Sequence, residues 1–368
     1  MIFFSFTRAY RAILATQMFL SPTMTINHYS PPQTTKEPLD YADLPIIDLS
    51  KSPRPDEVRE AMETHGFFYI VGHGLSPIDN QRIFDIADIP FASVSDDEKR
   101  QYEGKIQQTG SYQGYKLRKF WHIDNGVRDE VEIYSINRDT TKRQHPEATR
   151  PHLAEIEAFA RHNHLNVLHP ILRLLALGLG LPEDALVNLH GYSSVGESYV
   201  RFMKYYPHSA GDEEKTNGVW TKGHTDIGSI TILYSQPVAA LQMLTSSGEW
   251  KWVKHLENAL VINAGDALEF LSGGAYRATI HRVFQPPKDQ RGYTRLGVFY
   301  FSMPDDNVKL LPLVAPKVRR FVDADAPTME EWRKGRTAAY GNSQLKTAEG
   351  EERIEEEVIN GVVVKHYN

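Results

Sequence analysis

The second half of the chain is dominated by short runs of β-branched and aromatic residues, and this pattern restricts the folds open to it. Gly, Pro, Asn and Asp separate the runs. We predict strands over 199–206, 229–234, 241–244, 250–253, 259–262, 267–271, 279–284 and 295–302. Many short strands joined by tight turns are typical of a β-sandwich or barrel. We therefore expect a mainly β protein with flanking helices.

The first half has a different pattern, in which helical periodicity alternates with two apolar strands. Strands are predicted over 44–49 and 67–71, and helices over 56–64, from Pro77 onward and over 147–178, the last broken near Pro170. Gly66 is placed to end the first helix. The pattern indicates an N-terminal region of helices and strands over 44–190, followed by a β core over 191–310.

Both ends of the chain are expected to lie outside this core. Residues 1–43 form a predicted disordered leader and linker, with an apolar stretch from Ala12 to Leu20 and no acidic residue before Glu37. Two interpretations stay open: a targeting presequence, or a start assigned too early, with Met24 as the initiator. The C-terminal extension over 311–368 is charged and predicted to be helical, with Glu351 to Glu357 on a solvated helix face.

Charge and cysteine content exclude several classes of function. The chain has 41 Lys and Arg against 47 Asp and Glu, and no basic block, which argues against a nucleic-acid partner. Its mean hydropathy of -0.44, with no long apolar run, argues against a membrane span. Without cysteine, any metal must be bound by His, Asp or Glu. We expect a cytoplasmic monomer or weak homo-oligomer, although the leader leaves an organellar location open.

Two histidines and one aspartate are candidate metal ligands. Side chains two residues apart share a face of a strand, so His224 and Asp226 can bind one ion together. His281 follows in an apolar strand, where a plain core imidazole is the alternative. Two histidines and a carboxylate are the facial ligand set of non-haem Fe(II) oxygenases. Zinc stays open at this point, because zinc hydrolases use the same ligand types.

Arg295 begins the apolar strand Arg295-Leu-Gly-Val-Phe-Tyr-Phe301. A charged residue there is costly without an anionic partner, and a guanidinium pairs with a carboxylate through two parallel hydrogen bonds. Arg295 is therefore suited to bind the distal carboxylate of a 2-oxo diacid. The alternative is a salt bridge to a surface aspartate.

The ordered motifs resemble a known family. They are Leu44-Pro-Ile-Ile-Asp-Leu49, Gly66-Phe-Phe-Tyr-Ile-Val-Gly-His-Gly74, Asp97-Glu-Lys99, Tyr205-Tyr-Pro207, His224-Thr-Asp226, Asn263-Ala-Gly-Asp266, His281-Arg-Val283 and Arg295. Together they are similar to the 2-oxoglutarate- and Fe(II)-dependent dioxygenases of the isopenicillin N synthase-like family. The resemblance covers about residues 44 to 305.

The resemblance implies a double-stranded β-helix, or jelly roll, with the metal at its open end. Fe(II) would be held by His224, Asp226 and His281, and 2-oxoglutarate by Arg295 and the Tyr206 hydroxyl. With O2, such enzymes convert 2-oxoglutarate to succinate and CO2 and oxidise a small molecule by hydroxylation, desaturation or ring closure. Ascorbate is expected to stimulate the reaction, and fungal secondary metabolism is the family context.

Two positions depart from the family pattern. The family usually has Arg-x-Ser, whereas Gly297 stands two residues after Arg295 here. The serine hydroxyl that would form a hydrogen bond with the cosubstrate is therefore missing. Lys204 stands where the family usually has Asn. These departures keep open a same-fold oxidase that does not use 2-oxoglutarate. A non-catalytic jelly-roll binding module is the other alternative.

The residues that contact the substrate are less marked. Phe301 and Met303, at the end of the Arg295 strand, and Phe202, before Tyr206, are predicted to form pocket walls. Tyr115 lies in the stretch where relatives of the family place a substrate-facing loop. Lys204 is predicted to pair with the cosubstrate or with an acidic substrate, and the alternative is that it points outwards. Plain core packing is the alternative for the aromatic side chains.

Overall fold

The computed structural model describes residues 26–318, 323–339, 346–348 and 351–367. The strands are β1 (Ile46–Asp48), β2 (Phe67–Val71), β3 (Gly114–Lys116), β4 (Val131–Asn137), β5 (Tyr199–Tyr205), β6 (Val219–His224), β7 (Ile230–Tyr234), β8 (Leu241–Leu244), β9 (Trp250–Trp252), β10 (Leu260–Ala264), β11 (His281–Phe284), β12 (Arg295–Ser302), β13 (Lys346–Ala348), β14 (Glu351–Ile359) and β15 (Val362–Tyr367). The α-helices are α1 (Pro55–Thr64), α2 (Pro77–Ala92), α3 (Asp96–Gln101), α4 (Ile106–Thr109), α5 (Leu153–His162), α6 (His169–Gly178), α7 (Ala210–Lys215), α8 (Asp266–Leu271) and α9 (Met329–Ala339). No helix in these described ranges is long and apolar enough to cross a membrane.

The strands form two facing sheets. One sheet has the order β1-β2-β10-β7-β12-β5-β4-β3, and the other β13-β14-β15-β6-β11-β8-β9. Several central neighbours, such as β6 and β11 or β7 and β12, are distant in sequence, as in a jelly roll. The fold class predicted from the sequence is confirmed: a mainly β jelly roll with flanking helices.

The apolar core has two parts. The larger cluster joins the helices to the outer face of the eight-stranded sheet and includes Val58, Ile86 and Phe202. The smaller cluster lies between the sheets, with Met203 and Tyr205 from one and Trp220 from the other. Successive residues of β5 thus enter different clusters, because side chains alternate along a strand.

The helical region also follows the predicted pattern. Gly66 ends α1 with a φ of +65°, and a Cβ there would lie 2.2 Å from the Thr279 hydroxyl oxygen. The long helix predicted over 147–178 is α5 and α6, joined by a π-helical stretch at Asn163–Leu168. Pro170 stands in the first turn of α6, directly after this π-helical stretch.

Two predicted elements were wrong. The run at 267–271 is the helix α8, since a short buried apolar run does not distinguish helix from strand. Glu351 to Glu357 lies in the strand β14, not in a helix. β14 pairs with β15 through a turn at Asn360 and Gly361, both with positive φ. Asn-Gly is the strongest two-residue hairpin signal, so the C-terminal extension is only partly helical.

The prediction of disorder up to residue 43 is also wrong for the part that the structure describes. The backbone N–H of Tyr29 donates to Asp85, and the Tyr29 ring stacks on Phe84. Gln290 donates to the carbonyl of Gln33. Residues 26–43 therefore lie along the folded part. The apolar stretch from Ala12 to Leu20 and the possible start at Met24 lie outside the described residues.

Candidate active site

Sheet pairing brings His224 and His281 together. β6 and β11 are antiparallel, and these two residues are directly opposite each other, with their ring centroids 4.6 Å apart. Each ring is oriented through Nδ1, which contacts a backbone carbonyl: that of Lys222 at 2.8 Å and that of Thr279 at 3.1 Å. Both Nε2 atoms are therefore available to a metal ion.

Asp226 completes the set from the loop after β6, so the predicted strand does not extend to it. Its Oδ2 accepts hydrogen bonds from Thr231 at 2.6 Å and Asn263 at 2.8 Å. Its Oδ1 lies 3.9 Å from Nε2 of His224 and 3.8 Å from Nε2 of His281. The three ligand atoms lie within 4.8 Å of one another.

The protonation states also suit a metal centre. Burial, followed by the charge of His281, lowers the pKa of His224 to about 3, so its imidazole is neutral at physiological pH. Burial opposes ionisation of Asp226, but the two histidines and the hydrogen bonds to Oδ2 lower its pKa. Neutral imidazoles and an ionised carboxylate are the forms that bind metals. The donor set fits Fe(II), whose facial triad has these three ligands.

The three ligands open into the cavity between the sheets, which encloses about 950 Å³ of space unoccupied by atoms, part of it solvent. Its walls are mainly apolar and aromatic. Such a lining is typical of a small-molecule site. Polar side chains from β5, β6 and β12 project into it at a few points.

Arg295 is one of these polar residues. It is 3% exposed, and its Nε has no hydrogen-bond partner in the structure. Burial lowers the pKa of its guanidinium. Among the described residues no carboxylate pairs with Arg295, so the predicted alternative, a salt bridge to a surface aspartate, does not hold. A buried and unpaired guanidinium needs an anion from solution.

The neighbouring tyrosine was misassigned. Tyr205, not Tyr206, lines the cavity, directly opposite Arg295 in the β5–β12 pairing. Tyr206 points away, and its hydroxyl donates to Glu132 at 3.2 Å. Two adjacent residues cannot both face the cavity from a strand.

Some of the predicted substrate residues line the cavity, and others lie on the outer side of the eight-stranded sheet. Phe301 and Met303 line the cavity as expected. Phe202 is fully buried in the outer cluster, and Tyr115 is buried there too, with its hydroxyl donating to the carbonyl of Pro90. Lys204 pairs with Asp88 at 2.7 Å on the outer face of β5. Phe202, Tyr115 and Lys204 are therefore not wall residues.

Sequence reasoning missed three cavity residues. Arg201 faces the cavity from β5, and the spacing from Tyr205 was the signal that could have identified it. Thr221, on β6, brings a hydroxyl to the end near Tyr205. Arg336, on α9, pairs with Asp266 at 3.2 Å and donates to the carbonyl of Thr225 at 3.0 Å. No local pattern marked Arg336, because its partners are distant in sequence.

Gly297 has a steric explanation. A Cβ at this position would lie 2.6 Å from the ring of Phe299, which lines the cavity. The aromatic ring therefore occupies the space that a serine side chain would need. Thr221 can supply a hydroxyl from the facing sheet instead.

Two family models match consecutive parts of the chain, and together they cover more than half of it. The model described as the 2OG-Fe(II) oxygenase superfamily matches residues 197–304. That described as the N-terminal region of a non-haem dioxygenase in morphine synthesis matches residues 44–155. The first contains all three candidate metal ligands and Arg295.

Curated proteins and solved structures are similar over most of the chain. Jasmonate-induced oxygenase 3 of Arabidopsis thaliana is 28% identical over 84% of this chain and 82% of its own length. The 2-oxoglutarate-Fe(II) type oxidoreductase hxnY of Emericella nidulans is 28% identical over 73% of this chain and 82% of its own length. Full-length T7H of Neurospora crassa, solved with alpha-KG and 5-formyluracil, superposes with a TM-score of 0.69 at 21% identity, covering 82% of this chain and 99% of T7H. The last comparison supports the fold.

Proposed function

This chain belongs to the 2OG-Fe(II) oxygenase superfamily, and we propose that it performs the oxidation of a small organic molecule at the centre formed by His224, Asp226 and His281. It is an oxidoreductase that uses Fe(II), 2-oxoglutarate and O2. The observation that carries the residue assignment is the convergence of two imidazoles and one carboxylate at the wall of an apolar cavity. This arrangement leaves coordination positions open to ligands from solution.

We assign the distal carboxylate of 2-oxoglutarate to Arg295. No carboxylate of the described residues pairs with the buried guanidinium, and a carboxylate can accept two parallel hydrogen bonds from it. Tyr205 faces Arg295, with the guanidinium carbon 5.6 Å from the ring centroid. Tyr205 and Thr221 are placed to add hydroxyl groups at the same end.

The bound iron and cosubstrate supply the oxidative step, in which 2-oxoglutarate becomes succinate and CO2 as the substrate is oxidised. The chain's own residues orient and shield the reactants. Thr231 and Asn263 fix Asp226 so that Oδ1 is directed towards the two imidazoles. The apolar walls exclude water from the substrate end, which limits side reactions.

The primary substrate is proposed to be a small organic molecule of secondary metabolism. The supporting observations are the aromatic cavity and the family, one structural neighbour of which, T7H, was solved with the small molecule 5-formyluracil. Hydroxylation, desaturation and ring closure all remain compatible with this cavity. The oxidase that needs no 2-oxoglutarate is not favoured, because Arg295 would then remain buried without an anion.

The test combines calorimetry, metabolite analysis and absorption spectroscopy. Anaerobic calorimetric titration of the Fe(II) protein with 2-oxoglutarate should show one site, and metabolite extracts incubated with the enzyme should show mass shifts of one oxygen or two hydrogens with stoichiometric succinate. His281→Ala should abolish both the turnover and the Fe(II)–2-oxoglutarate absorption band. His122→Ala, which removes an exposed imidazole, is the matched control. Equal turnover by wild type and His281→Ala would contradict the assignment.

A further inference from the structure

The second arginine of the cavity, Arg201, has no anionic partner. It is 7% exposed and faces the cavity from the middle of β5. Its Nε donates to the hydroxyl of Ser135 at 3.0 Å, while its Nη2 is buried without a hydrogen-bond partner. In the part of the chain that the structure describes, no carboxylate forms an ion pair with it.

Four other buried cations among the described residues are paired with carboxylates; Arg138 is also buried without such a partner, but it does not line the cavity. Lys116 contacts Asp129, Lys99 pairs with Glu132, Arg333 with Asp306, and Arg336 with Asp266. A charge taken out of water is stabilised in this way, because a buried and unpaired charge is strongly unfavourable. Arg201 thus differs from these four cations and resembles Arg295.

Aromatic rings surround the Arg201 guanidinium. Its central carbon lies 4.6 Å from the ring centroid of Tyr112, and 4.9 Å from those of Tyr199 and Phe301. Such contacts hold the guanidinium in place, but they are weaker than a charge-assisted hydrogen bond and leave Nη2 unsatisfied. The rings also provide flat apolar surfaces beside the charge.

Arg201 is separate from the site proposed for 2-oxoglutarate. Arg295 is opposite Tyr205 in the sheet, and Arg201 is opposite Phe299. Arg201 and Tyr205 are four residues apart on one strand, a backbone separation of about 13 Å. One cavity therefore contains two unpaired guanidinium groups, and the carboxylate held at Arg295 does not neutralise both.

We infer that Arg201 binds an anionic group of the primary substrate, and that this substrate is a small carboxylic acid with a planar apolar body. The inference rests on the proposed function. Nη2 donates to the carboxylate, while the body of the molecule packs against the rings of Tyr112, Tyr199 and Phe301. Arg201 is thus a specificity-determining residue, and neutral analogues of the substrate bind poorly.

The experiment uses benzoate as the probe and benzyl alcohol as its neutral counterpart. Each is titrated calorimetrically into the full chain saturated with Mn(II) and 2-oxoglutarate, so that Arg295 is already occupied. We expect wild type to bind benzoate at least tenfold more tightly than benzyl alcohol. Arg201→Gln should weaken benzoate binding at least tenfold without affecting benzyl alcohol, and Arg201→Lys should be intermediate.

Lys204→Gln is the matched control, because it removes a positive charge from the outer face of the same strand and should leave both affinities unchanged. The dissociation constant for 2-oxoglutarate reports whether each variant is folded. If Arg201→Gln fails to fold, the wild-type preference and Arg201→Lys decide the question. Wild type that binds 2-oxoglutarate but shows no preference for benzoate overturns this inference alone. A protein that does not bind 2-oxoglutarate contradicts the proposed function.

Discussion

Replacing Arg295 by methionine should separate ligand binding from stability. In the ligand-free protein the guanidinium is buried, and it has no carboxylate partner among the described residues. Methionine keeps much of the apolar stem and removes the buried charge. We therefore expect Arg295→Met to lose 2-oxoglutarate binding while the ligand-free fold is retained or stabilised.

The magnitude follows from the two hydrogen bonds that the guanidinium can donate to the distal carboxylate. Each hydrogen bond to a charged group contributes roughly 1.5–3 kcal/mol. Losing both should weaken 2-oxoglutarate binding by about 3–6 kcal/mol, or roughly 10²- to 10⁴-fold. The free energy of unfolding of ligand-free Arg295→Met should rise by up to roughly 1–4 kcal/mol, the range observed when buried ion pairs are replaced by apolar residues.

Calorimetric titration of anaerobic Fe(II) protein measures the affinity, and urea denaturation without ligand measures the free energy of unfolding. Arg295→Lys is the control, since lysine keeps the charge but cannot form the two parallel bonds. It should bind 2-oxoglutarate with intermediate affinity. The reasoning is refuted if Arg295→Met binds 2-oxoglutarate within about threefold of wild type, judged against the loss expected from two charged hydrogen bonds.

Three other predictions concern single contacts. Tyr205→Phe should weaken 2-oxoglutarate binding by roughly tenfold or more, whereas Tyr206→Phe should not change it, as measured by calorimetry. Burial lowers the pKa of His164 to about 3 in the folded protein. Between about pH 6.5 and 3 the unfolded chain therefore binds one more proton at this residue than the folded protein does. The free energy of unfolding should fall over this range, by at most about 1.4 kcal/mol per pH unit. His164→Gln should reduce that slope in urea denaturation, and an unchanged slope would contradict the assignment. Arg336→Met should lower the free energy of unfolding by about 3–5 kcal/mol, because it leaves Asp266 buried and unpaired. Adding Asp266→Asn should recover most of this loss. An Arg336→Met variant as stable as wild type would argue against a stabilising ion pair.

Much of the fold could be predicted because local patterns and tertiary structure agree. The predicted bounds of β2, β8 and β12 match the observed ones, and α2 begins at Pro77. Runs of β-branched residues fit a buried pleated surface, and Pro is tolerated at a helix start. Local patterns failed at α8, a short buried apolar run that does not distinguish helix from strand, and at β14, where the run of glutamates was given more weight than the Asn360-Gly361 hairpin signal.

The candidate site was also predicted in part: its cofactors followed from the sequence, and the positions of some cavity residues did not. Iron and 2-oxoglutarate as cofactors are confirmed by the family. The placement of the tyrosine was wrong by one residue, and a shift of one residue on a strand transfers a side chain to the opposite face. Arg201 was missed because its spacing from Tyr205 becomes a signal only once Tyr205, and not Tyr206, is known to face the cavity.

The sequence by itself determined which chemical groups are available: histidines and a carboxylate at strand ends, an arginine opening an apolar strand, and no cysteine. Only the tertiary structure decided how these groups meet. The β6–β11 register places His281 opposite His224, and the loop after β6 brings in Asp226. Strand alternation selects Tyr205 over Tyr206 and Lys204. Tertiary structure also buries Arg201 and Arg295 away from every carboxylate of the described residues. This burial depends on pairing between strands that are distant in sequence, so no local stretch of residues encodes it.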